Sequence, residues 1–200
     1  MVDPDTYALF STRVYDATVV NKVFVPPGWT ELPDQPDSSA TSFFARAYRN
    51  DITHEVVIAY RGTDTAIKDG TIQDWVTNVS GFAGIPTPQI AQAMTFYKTI
   101  KDAYGETVNG VPNGNISFTG HSLGGGIASA MAIYFNKSAT VFDAAPFQAT
   151  AVNPLAVLTY LPQGWSDPDF LPYAFLNLLS LGWMFNNREE AVTHYYLQGE

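Results

Sequence analysis

A glycine-rich run of seven residues between a strand pattern and a helix pattern constrains this chain more than any other feature. Residues 116–119, Ile-Ser-Phe-Thr, form a short strand pattern, and residues 120–126 read Gly-His-Ser-Leu-Gly-Gly-Gly. A helical pattern then continues to Asn136. A second strand pattern follows at residues 139–143. Strand, tight turn, helix and strand in this order are typical of a parallel sheet covered by helices. We therefore expect an α/β fold.

The N-terminal third of the chain fits the same layered fold. An N-cap and proline pattern at residues 3–4 predicts a helix that runs to about Tyr15. Residues 26–39 are rich in Pro, Gly, Asp and Ser and predict a loop. Residues 41–48 and the continuous apolar run 56–60 predict two strands joined by a turn, the second buried on both faces. We expect an edge hairpin that leads into a central strand.

The C-terminal half adds a helix, an apolar segment and a last strand. Apolar residues at helical spacing predict a helix over residues 87–104 that stops at Gly105. Four prolines after Pro146 interrupt residues 146–190. The most apolar part of this segment, 170–185, is too short and broken to span a membrane. We interpret residues 146–190 as a helical cap-like segment, which either completes the core or covers an acyl-chain pocket. Residues 191–198 predict a strand.

Charge and length exclude several classes of protein. The chain has 200 residues, 46% of them hydrophobic, which suits one α/β domain over residues 1–200 with a substantial core. Ten basic against nineteen acidic residues give a net charge of −9, which disfavours nucleic acid and anionic membranes as partners. Cysteine is absent, so disulfide frameworks and thiolate metal sites are excluded. The first residues lack a leader pattern, which leaves open secretion without an N-terminal signal peptide.

Ser122 lies at the centre of a Gly-x-Ser-x-Gly pattern with the flanking elements that give this pattern its meaning. A serine raised on a sharp strand-to-helix turn needs glycine two residues before and after it, here Gly120 and Gly124, because strand and helix pass close together. Its hydroxyl is then exposed, and the next backbone N–H, from Leu123, points into the same space at the start of a helix. The alternative is a glycine-rich turn that binds an anion or nothing.

Two motifs in order give the chain a family resemblance. Residues 59–64 read Ala-Tyr-Arg-Gly-Thr-Asp at the end of the buried strand, and residues 119–125 contain the serine turn. With Asp74-Trp75 and Asn78 between them, this arrangement resembles the lipase class 3 group and its bacterial relatives within the α/β-hydrolase fold. Residues 141–146, Val-Phe-Asp-Ala-Ala-Pro, depart from that group and are closer to the pancreatic type of lipase. The resemblance implies a mainly parallel sheet flanked by helices, with a lid or cap.

The resemblance implies a second donor for an oxyanion hole, and the composition of the segment after it favours a lid. In the family, the residue that matches Thr63 gives a second donor beside Leu123 N–H. An ordinary turn at the strand end is the alternative, and Arg61 fits a structural role. Residues 66–86 place Trp75 and Phe82 among glycines and polar residues, which favours a mobile lid that contacts substrate, with a fixed packed connection as the alternative.

The serine needs a base and an acid to activate it. Asp143 follows the strand after the serine's helix and is the candidate acid, unless it caps the next turn. Among the three histidines, His54 precedes the buried strand, His121 is turned away from the serine, and His194 lies inside the last strand. We therefore expect the catalytic histidine beyond residue 200, in a chain incomplete at its C-terminus, and rank His194 as the weaker candidate.

These observations predict a serine ester hydrolase, lipase-like or phospholipase A1-like, that acts on carboxylic esters of lipids. A catalytically degenerate binding module, and an acyltransferase or thioesterase using the same serine, are the alternatives. The chain has no His-Glu-x-x-His run and no Gly-x-Gly-x-x-Gly fingerprint, so we expect neither metal nor organic cofactor. The expected partner is a lipid or small ester, with transient contact to a lipid interface and an oligomeric state that the residues leave open.

Overall fold

A six-stranded sheet forms the centre of the protein, with its strands side by side in chain order. The computed structural model describes residues 2–15, 23–34, 36, 43–62, 87–105, 116–179 and 187–196. The strands are β1 (Trp29–Glu31), β2 (Ala45–Asn50), β3 (Val56–Tyr60), β4 (Ile116–His121), β5 (Ala139–Phe142) and β6 (Val192–Tyr195).

The sheet is antiparallel at one end and parallel over the rest. Strands β1, β2 and β3 pair antiparallel, whereas β3 to β6 pair parallel. All five residues of β3 are buried, as its unbroken apolar run predicts. The predicted α/β fold of the hydrolase type, a mainly parallel sheet flanked by helices, is confirmed.

One local prediction is wrong. Within the predicted loop 26–39, residues 29–31 form β1 and pair with the outer side of β2. The hairpin of β2 and β3 therefore does not supply the edge of the sheet. A strand of three residues is too short to show a period of two, so its existence depends on the neighbour with which it pairs.

The helices whose bounds the structure describes cover both faces of the sheet. They are α1 (Pro4–Arg13), α2 (Thr87–Ile100), α3 (Leu123–Phe135), α4 (Gln148–Ala151), α5 (Leu155–Leu158) and α6 (Phe170–Leu179), and one π-helical turn, Lys101–Gly105, continues α2. None of these helices combines the length and apolarity that crossing a membrane requires.

The two faces of the sheet carry separate apolar clusters. On one face, Tyr7 and Phe10 of α1 and its C-cap residue Val14 pack against strand residues such as Tyr48 and Val57. On the other, α2 and α3 pack on Phe118 and its neighbours, and every residue of α3 is buried. A helix that is apolar all round must lie in the middle of a fold, and α3 does. The helix that follows the serine turn is therefore held firmly.

The segment after β5 packs around the far end of α3. Tyr134 donates a hydrogen bond to the Thr150 carbonyl over 2.7 Å, and Tyr173 on α6 donates to the Ala151 carbonyl over 3.0 Å. The rings of Phe135 and Phe170 lie 6.0 Å apart. Since α3 begins at the serine turn and rises about 1.5 Å per residue, these contacts lie roughly 20 Å from its start.

Candidate active site

The backbone of Ser122 has the strained geometry of a strand-to-helix elbow. Its φ is 54° and its ψ is −126°, and the residue joins the end of β4 to the start of α3. Positive φ costs a non-glycine residue about 1 to 3 kcal/mol and persists only where the surroundings enforce it. Although serine is a favoured N-cap, the Ser122 side chain makes no capping hydrogen bond to α3. The hydroxyl is therefore not engaged by the helix that follows it.

Close backbone contacts hold this elbow. A Cβ added at Gly120 would lie 2.4 Å from the backbone of Gly124, and one added at Gly124 would lie 2.1 Å from the Tyr60 carbonyl oxygen. Cβ atoms essentially never come this close to backbone. The spacing of two residues on either side of Ser122 therefore brings β3, β4 and α3 into direct contact, as the motif predicts.

The structure describes one of the two predicted oxyanion donors. Leu123 is the first residue of α3, so its N–H has no carbonyl partner within the helix and lies at the positive end of the helix dipole. Thr63 lies outside the described residues. The chain just before it is held in place: Arg61 N–H donates to the Phe44 carbonyl over 2.9 Å, and Gly62 N–H donates to the Tyr15 hydroxyl over 2.9 Å. Arg61 also lies over the Phe44 ring, which fits its expected structural role.

Asp143 lies beside the elbow at the end of β5. The Ser122 N–H donates to the Phe142 carbonyl over 3.1 Å, and the Ala145 N–H donates to the Ser122 carbonyl over 2.9 Å. The loop that carries Asp143 is therefore bonded to the serine on both sides. Asp143 has a positive φ of 43°, and its carboxylate Oδ2 lies 4.0 Å from Nε2 of His121. The histidine that the structure brings to this carboxylate is the exposed neighbour of Ser122.

The other two histidines lie in different surroundings. His54 is exposed in the turn before β3, at the end of the sheet opposite the elbow. His194 stacks on the rings of Phe147 and Tyr196, with ring centroids 5.9 Å apart in each pair. Burial lowers the pKa of His194, which favours the neutral imidazole. Aromatic contacts thus hold the ring of His194, which lies on β6.

The structure therefore brings together Ser122, Leu123 and Asp143 at the carboxyl edge of the parallel strands, where ligands bind in open α/β sheets. Thr63, Trp75 and Phe82 lie outside the described residues, as does the predicted lid 66–86. Sequence reasoning did not find Tyr15. It follows the N-terminal helix and carries no motif, so only its position in space connects it to the site.

Metal ligands do not gather at this site or elsewhere in the ranges that the structure describes. Across those residues, His, Asp and Glu side chains nowhere form a group of three that could hold an ion. The chemistry of the described residues is that of a hydroxyl, backbone amides, a carboxylate and imidazoles. Such a set is suited to nucleophilic attack on a carbonyl carbon.

Comparisons with known proteins identify a family and several similar proteins. A family model, described as a Tle-like phospholipase domain, matches residues 6–159 of the chain. Over 125 residues the chain is 30% identical to the extracellular phospholipase A1 of Serratia liquefaciens, covering 62% of this chain and 34% of that protein. The chain thus spans about a third of the length of this curated relative. Among solved structures, a Rhizomucor miehei lipase propeptide complex matches at 14% identity and a TM-score of 0.43, covering 80% of this chain and 57% of that one.

Proposed function

Because the chain belongs to the family of Tle-like phospholipase domains, we propose that it hydrolyses carboxylic esters of lipids with Ser122 as the nucleophile. The observation that carries the proposal is the elbow. Ser122 has positive φ, its hydroxyl does not cap α3, and the residues two before and two after it have no room for a side chain. An enforced strain of this kind is the usual support of a nucleophilic serine.

In the proposed reaction, Ser122 Oγ attacks the carbonyl carbon of the ester as a base takes its proton. The carbonyl oxygen becomes an oxyanion, which the N–H groups of Leu123 and Thr63 stabilise by hydrogen bonds. The intermediate then collapses: the bond to the alcohol breaks, the base returns the proton to the leaving oxygen, and an acyl-serine remains. Water, deprotonated by the same base, releases the fatty acid and regenerates Ser122.

Asp143 is our proposed acid, because its loop is hydrogen-bonded to the backbone of Ser122. The base is proposed to lie outside the described residues. His54 lies at the end of the sheet opposite Ser122, His121 belongs to the strand that ends at the serine, and His194 stacks on two aromatic rings. His194 stays the weaker candidate: if it is the base, His194→Ala abolishes hydrolysis.

Phospholipids are the substrates that we propose first. The Serratia relative is named an extracellular phospholipase A1, and the family model carries the name phospholipase. For the same reason we propose that the protein acts outside the cell that makes it. Trp75 and Phe82 remain our proposed lid residues. Competing alcohol acceptors added to the assay separate hydrolysis from acyl transfer, since both pass through the same acyl-serine.

Covalent labelling of the full-length protein tests the proposal. We expect a fluorophosphonate to modify Ser122, and Ser122→Ala to lower kcat on a short-chain phosphatidylcholine by about a thousandfold or more. Ser138→Ala is the control, because this exposed serine lies in the turn between α3 and β5, away from the elbow. A label on another residue, or equal activity in the two variants, would contradict the assignment.

A further inference from the structure

A phenol connects the strand end before Thr63 to the elbow. Tyr15 lies just beyond α1, and its hydroxyl oxygen accepts the Gly62 N–H over 2.9 Å. The same hydroxyl donates to the carbonyl of His121, the residue before Ser122, over a longer 3.4 Å. The rings of Tyr15 and His121 meet edge to face, with centroids 6.4 Å apart. One side chain therefore touches two chain segments at the carboxyl edge of the sheet.

Position 62 has room only for glycine at this contact. A Cβ at position 62 would lie 2.4 Å from the Tyr15 hydroxyl and 2.8 Å from the His121 carbonyl oxygen. The glycine therefore lets three segments meet: the end of α1, the end of β3 and the end of β4. A hydroxyl can donate one hydrogen bond and accept two, so Tyr15 can serve both contacts at once.

We propose that Tyr15 is a positioning residue for the oxyanion hole, an inference that rests on the proposed function. Because the Gly62 N–H is directed at Tyr15, it is not available to a substrate, and the next amide along the chain is that of Thr63. Oxyanion donors are effective when they are held in place before the reaction. Tyr15 supplies this support from 47 residues before Gly62.

The same helix offers a matched comparison. Tyr7 on α1 also donates from its phenol to a strand, namely to Ser117 Oγ over 2.8 Å in a buried contact. Ser117 lies near the start of β4, five residues before Ser122. Tyr15→Phe and Tyr7→Phe each remove one phenol oxygen that bonds a segment beside α1. The Tyr15 hydroxyl bonds residues beside the site, and the Tyr7 hydroxyl does not.

Kinetics of the full-length protein test the inference. We expect Tyr15→Phe to lower kcat by about 10- to 100-fold with KM changed by less than about twofold, because an oxyanion donor acts mainly in the transition state. The affinity for a trifluoromethyl ketone, which forms an oxyanion with a nucleophilic serine, should fall in the same proportion. Binding of an uncleavable ether phospholipid should be unchanged. Tyr7→Phe should alter none of these quantities, and the thermal midpoints of the two variants show whether each is folded.

Amide hydrogen exchange followed by NMR tests the hydrogen bond between Gly62 and Tyr15 in the absence of substrate. We expect the Gly62 N–H to exchange at least about tenfold faster in Tyr15→Phe and at its original rate in Tyr7→Phe. If the wild type is active and Tyr15→Phe leaves kcat unchanged, the positioning role alone is overturned. The same holds if Tyr7→Phe lowers kcat as much as Tyr15→Phe does. An inactive wild type whose Ser122 takes no label would overturn the proposed function and this role together, even if Gly62 exchange responds to Tyr15→Phe.

Discussion

Backbone proximity decides which residues can surround Ser122. The Tyr60 carbonyl oxygen stands 2.1 Å from where a Cβ of Gly124 would be, and it belongs to the central strand β3. A backbone oxygen in a buried strand cannot rotate away as a flexible side chain can. Any side chain at position 124 would therefore have to separate α3 from β3.

This contact predicts a large effect of Gly124→Ala. We expect it to lower the free energy of unfolding by about 3 kcal/mol or more, the upper range for overpacking a core. Gly164→Ala is the control: Gly164 has φ +79° but nothing within 4 Å of the added Cβ, so only about 1 kcal/mol of conformational strain is expected. Urea unfolding of both variants measures the difference. Equal losses would show that the clash relaxes at little cost.

Helix α1 depends on a single capping residue at its start. The Asp3 carboxylate accepts hydrogen bonds from the Thr6 N–H over 2.9 Å and from the Thr6 hydroxyl over 2.8 Å. These bonds hold the pKa of Asp3 below its usual 3.8. The helix in turn places Tyr7 and Phe10 on the sheet and ends just before Tyr15. The cap therefore supports the packing of the entire element.

Removing the Asp3 carboxylate should destabilise the protein, and the size of the loss should depend on pH. Asp3→Ala should cost about 1 kcal/mol at pH 7. Since the pKa is lowered in the folded state, the charged carboxylate stabilises the fold above pH 3.8, and this contribution is lost as the pH falls through the folded pKa. Asp3→Asn keeps the capping oxygen without titrating, so it should retain stability at pH 7 and respond less to acid. Chemical unfolding between pH 2 and pH 7 checks this, and a loss in Asn equal to that in Ala would contradict it.

The C-terminal segment is joined to the rest of the protein by an ion pair whose carboxylate is buried. Lys101 Nζ, in the π-helical turn after α2, lies 2.9 Å from Asp167 Oδ2, and Asp167 is only 2% exposed. Burial opposes the charge on Lys101, but its hydrogen bond to Asp167 raises the pKa of the lysine on balance. The other oxygen of Asp167 accepts the Asp169 N–H over 2.8 Å at the start of α6. The pair thus connects α6 to α2 across 66 residues of chain.

Removing one partner of this pair should be costly. Lys101→Met leaves a buried carboxylate without its cation, for which we expect a loss of about 3 kcal/mol in unfolding free energy. Lys101→Met combined with Asp167→Asn should recover part of that loss, because no buried charge remains. Lys98→Met is the control: its exposed pair with Asp102 is expected to contribute about 0.5 kcal/mol or less. If the double variant is no more stable than Lys101→Met, the unpaired charge of Asp167 is not the cause of the stability loss.

The order and type of most elements could be predicted from sequence. The α/β fold of the hydrolase type is confirmed, and the family match confirms the resemblance to lipases. Strand β1 was missed because pairing with β2, and not any period in residues 29–31, makes it a strand. The apolar pattern of residues 170–185 indicates a helix, and its first part, Phe170–Leu179, is α6. It did not indicate that this helix contacts the far end of α3 and leaves Phe175 and Leu179 exposed.

The amino-acid sequence determined the elbow, because most requirements of that turn lie within consecutive residues. Positive φ at Ser122, the contact of Gly120 with Gly124 and the helix after the serine are local, whereas β3 adds its own steric limit at Gly124 through the Tyr60 carbonyl. Short-range steric limits are the same in any protein, so a pattern of five residues with its flanking elements can express them.

Only the tertiary structure decided which distant residues surround the elbow. Tyr15 meets His121 across 106 positions, and the loop of Asp143 bonds to Ser122 because β4 and β5 pair side by side. Apolar periodicity says that α1 packs on a sheet but not which strands it covers or what lies beyond its last turn. Many arrangements share the same period, and packing of the two sheet faces selects one of them.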